Sequence, residues 1–115
     1  MEAMNEKVSR YRRIIEEVLT KRATIPYLEE GIRDRVLFDE KNDRYALISE
    51  GWHQAERIHN VVIDLEIING KVWIQADNTD IAVARELEAR GIPKSDIVLG
   101  FRSPDVRAYT EYAVA

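Results

Sequence analysis

Apolar residues recur along the chain at two different spacings, and the change of spacing marks the elements. Met4, Val8, Tyr11, Ile15, Val18 and Leu19 lie three or four positions apart, with Ile14 beside them. That is one face of an amphipathic helix running from Ala3 to about Ala23. From Ile32 onward the apolar positions alternate with period two, which predicts strands. The clearest pair is Ile58 to Asp77, interrupted by Asn69-Gly70. Asn-Gly favours the positive φ that a two-residue type I′ turn needs at both central positions. With Ile68 opposite Lys71, the hairpin sets Ile67 against Val72, Leu65 against Ile74 and Ile63 against Ala76 on one apolar face. Glu66 then faces Trp73, Asp64 faces Gln75 and Val62 faces Asp77 on a mostly polar one. A slip of one residue would bury Asp64 and Glu66, so the turn and the pattern require the same register.

The same argument predicts a first hairpin from Ile32–Asp39 and Arg44–Trp52, joined by Glu40-Lys41-Asn42-Asp43. It pairs Asp39 with Arg44, Phe38 with Tyr45 and Val36 with Leu47, and leaves Arg33, Arg35, Leu37, Ala46, Ile48 and Glu50 on the opposite face. In the connection that precedes it, Pro26 holds Ile25 extended, and Ile25, Tyr27 and Leu28 are expected to pack along the core edge. Gly51 to Arg57 links the two hairpins and carries Trp52 and Arg57. A second helix is predicted from about Asp80 to Arg90, with Ile81, Ala84 and Leu87 buried, Gly91 as its stop and Ile92 folding over the last turn. Tyr109, Tyr112 and Val114 give the tail an apolar finish that should dock on the domain or on a partner. The fold class is therefore α+β: an N-terminal helix, a four-stranded antiparallel meander, a second helix and a C-terminal docking segment, in one domain over residues 1–115.

Composition narrows the function. The chain is 45% hydrophobic and 33% charged with a net charge of −4, a balance that argues against an autonomous grip on DNA phosphates. It has no cysteine, so disulfides and thiolate metal sites are excluded. No apolar run approaches a membrane span and the N-terminus lacks a signal-peptide core, so the expected location is the cytoplasm. His53 and His59, the only histidines, lack the spacing of a zinc site. No phosphate-binding glycine loop or nucleophile elbow is present. No cofactor is expected.

Three groups of residues invite a functional reading. Arg33 and Arg35 mixed with aliphatics suit a protein contact, as do Trp52 and Arg57 beside them and Trp73, Gln75, Asp77 and Arg107 farther along, because tryptophan and arginine are enriched at interface hot spots. The carboxylates Asp64, Glu66 and Asp77, predicted to share a face, could instead hold a hard cation for metal-dependent chemistry. Arg12 and Arg13 on the first helix, with Arg33 and Arg35, are the residues a direct DNA-binding reading would use.

Gly51-Trp52, Arg57, the run Asp64 to Gln75, Asp77, Thr79 and Ile81-Ala82 together resemble the XisI-type family, the fdxN element excision-controlling factors. Glu86-Leu87, Gly91 to Lys94, Asp96 to Phe101, Pro104, Arg107 and Tyr109 to Ala115 extend the resemblance over nearly the whole chain. Asn78 and Arg102 depart from it, at positions where glycine and histidine are frequent. The resemblance implies a cyanobacterial accessory protein that controls programmed excision of a DNA element during heterocyst differentiation. It implies a XisH-type, nuclease-fold partner, with a separate recombinase cutting the DNA, and it carries over no catalytic residue. The expectation is therefore a non-enzymatic regulatory protein that binds a XisH-type partner, and also itself as a homodimer. Direct DNA binding and a metal-dependent enzyme are the alternatives.

Overall fold

The computed structural model describes residues 2–115. Helix α1 (Met4–Ala23) is followed by strands β1 (Ile32–Asp39), β2 (Arg44–His53), β3 (Glu56–Ile68) and β4 (Lys71–Asp77). Helix α2 (Val83–Ala89), a 3₁₀ turn at Lys94–Asp96, strand β5 (Ile97–Leu99) and the single turn α3 (Pro104–Arg107) complete the chain. The sheet has the order β1-β2-β3-β4-β5. Its first four strands form the expected antiparallel meander, but Ile97–Leu99 adds a fifth strand parallel to β4, so the sheet is mixed. Three residues carry too little periodicity to announce a strand; β5 exists because α2 returns the chain alongside β4 in the same direction. Among the described residues, no helix is long and apolar enough to cross a membrane.

One face of the sheet is covered by α1 and α2. Tyr11, Ile15, Val18 and Leu19 from α1 meet Tyr45 and Leu47 of β2, Ile63 and Leu65 of β3, and Val72 and Ile74 of β4, all buried. Val83, Ala84 and Leu87 close the core from α2, and Ile92 folds beneath as expected. Each large buried side chain contributes roughly 1.5–3 kcal/mol. Glu6 lies in the first turn of α1 and Lys21 and Arg22 in the last, the arrangement its dipole favours. Lys7 reaches Asp96 at 3.2 Å, and the Tyr11 hydroxyl donates to the same carboxylate, fastening α1 to the turn before β5. Burial and that bond raise the Tyr11 pKa well above the ordinary phenol value.

The hairpin at Asn69-Gly70 has the predicted register from Ile68 opposite Lys71 to Leu65 opposite Ile74. Beyond that point a bulge skips Gln75, so Asp64 faces Ala76 and Ile63 faces Asp77. A second bulge, between β2 and β3, skips Val62 and sets Leu47 against Ile63 but Ile48 against Val61. A bulge leaves one residue unpaired and bends its strand.

Two further expectations fail. Ile25 and Leu28 are exposed, and only Tyr27 returns to the sheet, its hydroxyl 2.6 Å from Asp34 and 3.1 Å from Ser49. Helix α2 starts at Val83 and not near Asp80, which leaves Ile81 in a loop and 75% exposed. The cause is Asp77, whose carboxylate accepts from the Val83 amide at 2.8 Å and the Thr79 amide at 3.1 Å and holds residues 78–82 out of helical geometry.

Gly51 has φ 149°, and a Cβ there would stand 1.8 Å from the Gly31 carbonyl oxygen. Gly51→Ala should therefore destabilise by about 3 kcal/mol, read by thermal or denaturant unfolding. Glu16 makes a second prediction. Its Oε2 is buried without a hydrogen-bond partner, and burial together with Glu40 raises its pKa above the ordinary carboxylate value. A carboxyl whose folded pKa is raised loses stability as pH climbs through that value. Glu16→Gln removes the charge, so the variant should match wild type near pH 4 and exceed it by about 1 kcal/mol at pH 8.

Candidate functional site

The face of the sheet away from the helices can be followed in rows across the strands. Asp39, Arg44, Glu66 and Trp73 form one row, and Leu37, Ala46 and Asp64 the next. Arg35, Ile48 and Val61 follow, then Arg33, Glu50 and His59, and finally Trp52 beside Arg57. Alternation on each strand produces this face, and the bulge at Val62 brings Val61 into line with Ile48.

Its acidic end is neutralised from within. Arg44 donates from Nε and Nη2 to the two Asp64 carboxylate oxygens at 2.8 and 2.9 Å, and from Nη1 to Glu66 at 3.1 Å. Gln75 donates to the same Glu66 oxygen at 3.1 Å. Asp77, expected beside these acids, points to the helix side, because the bulge at Gln75 pairs it with the buried Ile63. The carboxylate trio therefore does not form, and no group of three or more His, Asp or Glu suited to a metal occurs among the described residues. Arg44 was the missing residue. Its position opposite Glu66 depends on how one hairpin pairs with the other, which no local turn signal dictates.

Trp73 and Arg107 do meet. The Arg107 guanidinium lies 4.9 Å from the Trp73 ring centroid and donates to the carbonyls of Leu99 at 3.3 Å, Gly100 at 3.4 Å and Val114 at 3.5 Å. A Cβ on Gly100 would stand 2.7 Å from the Gln75 side-chain oxygen, so the tail crosses this face at close range. The tail then turns round the β5 edge, where Ala113 bridges Val98 and its amide donates to the Ile97 carbonyl at 2.9 Å. The Tyr112 hydroxyl donates to Glu88 of α2 at 2.7 Å, and burial plus that bond push its pKa up to about 12. Of the expected docking residues only Tyr112 packs on the domain, with Ala113 beside it and Arg107 as the clamp. Tyr109 and Val114 stay exposed, contrary to expectation, because the tail is held by its backbone and by Arg107 and not by an apolar stripe.

The other end of the face is bare. Leu37 is 63% exposed, Trp52 54% and Val61 45%. Arg57 stacks on Trp52 at 5.5 Å, and Arg35 holds Glu50 at 3.2 Å. Arg33 and Arg57 border a shallow cavity of about 350 Å³ with Glu50 and Gly51. The sequence candidates therefore divide into two places: Arg33, Arg35, Trp52 and Arg57 at the open end, and Trp73, Gln75 and Arg107 under and within the tail.

The basic side of α1 is largely engaged inside the chain. Arg12 grips Asp43 at 2.6 and 3.0 Å, Arg22 reaches Glu86 at 2.7 Å, and Arg10 holds Glu2 at 2.9 Å. Arg13 is exposed.

Removing the clamp should release the tail. Arg107→Ala in a Trp52→Phe background is expected to red-shift the emission of Trp73, speed amide exchange at Ala113 and cost about 1–2 kcal/mol. Unchanged emission and exchange would show that the tail is held without Arg107.

The chain is similar to solved proteins over nearly its whole length. It is 33% identical to a XisI-like protein from Anabaena variabilis ATCC 29413, whose crystal structure superposes with a TM-score of 0.87 over 94% of this chain and 99% of that one. It is 37% identical to the fdxN element excision controlling factor XisI from the same organism, with a TM-score of 0.80 over 95% and 99%. No curated protein matches. The family model described as XisI protein matches residues 4–114, and on this evidence the chain belongs to the XisI family.

Proposed function

We propose that this protein is a non-catalytic accessory factor in the control of DNA-element excision, acting by binding a XisH-type protein. The solved relative named as an excision controlling factor supports the role in control. The observation that carries the protein-binding reading is the bare end of the outer face, where Leu37, Ile48 and Val61 lie among Arg33, Arg35 and Arg57 with Trp52 half exposed. Aliphatics interleaved with arginine and tryptophan are the composition of a protein contact. Support for a binding role over catalysis comes from the acids, since Asp64 and Glu66 are paired with Arg44 and Asp77 holds the start of α2. The net charge of −4 and the ion pairs of Arg10, Arg12 and Arg22 favour a protein partner over direct contact with DNA phosphates.

Co-expression with a XisH-type protein should give a complex that survives purification, and titration calorimetry should find micromolar or tighter affinity. Trp52→Ala is expected to weaken it by about 2 kcal/mol, roughly thirtyfold, and the double change Arg33→Glu, Arg35→Glu at least about tenfold. No association at micromolar concentrations would overturn the proposal.

A further inference from the structure

The two edges of the sheet are finished differently. At β5 the tail adds the Val98–Ala113 bridge and closes the edge. At β1, among the described residues, no backbone group of Ile32–Asp39 bonds to anything on the side away from β2. Which groups face outward follows from the ladder. The Trp52 amide donates to the Gly31 carbonyl at 3.0 Å, and Ile32 faces Gly51, so Gly31–Trp52 is a hydrogen-bonded pair in the same register. Bonded pairs alternate in an antiparallel ladder, so Arg33, Arg35 and Leu37 bond β2, while Asp34, Val36 and Phe38 aim their N–H and C=O groups at the open edge.

We infer that β1 is a self-association edge, pairing antiparallel with β1 of a second copy of this chain around a two-fold axis at Val36. Only registers that match outward-facing positions to outward-facing positions can bond, so the axis must fall on a residue and not between two. An axis at Arg35 sets Arg35 against itself, and an axis at Leu37 sets Asp34 against Glu40. An axis at Asp34 sets that acid against itself, and one at Phe38 sets Arg35 against Lys41. The axis at Val36 avoids every such clash. It places Arg33 opposite Asp39 of the second copy, twice by symmetry, lays the Arg35 stem along the exposed Leu37, and buries Val36 against its mate. The two five-stranded sheets then run on as one, and both outer faces lie on the same side.

Sedimentation equilibrium of the whole chain should show a dimer at micromolar concentrations. Val36→Pro deletes an outward N–H and no bond to β2, so circular dichroism should stay as in wild type while the dimer dissociation constant rises at least tenfold. Hydrogen exchange of the unmodified protein gives an independent reading, with the amides of Asp34, Val36 and Phe38 protected at high concentration and released on dilution. A wild-type chain that stays monomeric at about 100 µM, or edge amides that exchange freely while those of Arg35 and Leu37 are protected, would overturn the inference. A folded Val36→Pro variant that dimerises as tightly as wild type would do so too.

Discussion

Strand β3 is the constraint on which the other parts depend. Ile63, Leu65 and Ile67 point under the helices, and Leu65 meets Tyr45 on one side and Ile74 on the other. A strand shared by two hairpins has to satisfy two registers at once. It does so with one bulge toward each neighbour, at Val62 on its own backbone and at Gln75 on β4. Each bulge shifts the pairing by one residue, and with period-two alternation such a shift reassigns the faces beyond it. Asp77 therefore lies on the helix side and organises the start of α2, while Val61 joins the outer row with Ile48.

The same register sets the electrostatics. Arg44 lies opposite Glu66 and reaches Asp64, so the two acids that looked free on β3 share one guanidinium. Elsewhere arginines on α1 reach carboxylates far away in sequence, Asp43 in the first hairpin loop and Glu86 on α2. These α1 pairs are part-buried, and each contributes a modest amount of stability. Their larger effect here is on recognition, because they remove cations from the α1 surface and acids from the sheet face. What they leave accessible is the end of the face bearing Arg33, Arg57 and Trp52.

The tail treats the two ends of the sheet unequally. Arg107 covers Trp73 and gathers three carbonyls, and Tyr112 and Ala113 seal the β5 edge. Membership of the XisI family accords with this arrangement, since the solved relatives share the fold over nearly their whole length. The long β2–β3 hairpin, by contrast, runs to a turn at Gln54-Ala55, and it contributes to an elongated molecule of 51 × 30 × 24 Å.

Features decided within a few residues of one another were legible in the chain. Asn69-Gly70 dictated the turn and the four pairs next to it, because the turn geometry and the buried Leu65, Ile67, Val72 and Ile74 agree locally. The spacing of Tyr11, Ile15, Val18 and Leu19 dictated α1 and its buried face, and the family resemblance was carried by short ordered runs that need no folding to be recognised. Contacts between distant segments were not legible. The bulge at Gln75, which reverses Asp77, lies in a hairpin whose turn sets only the pairs beside it. The parallel strand β5 and the pairing of Arg44 with Asp64 and Glu66 join segments between which the sequence carries no turn signal of its own. Ile81 and Leu28 read as core from their apolarity alone, but they lie on loops that only the packed structure could place in solvent. Propensity and alternation act over a turn or a strand, whereas register between strands is settled by the collective burial of one sheet face, which exists only once the chain has folded.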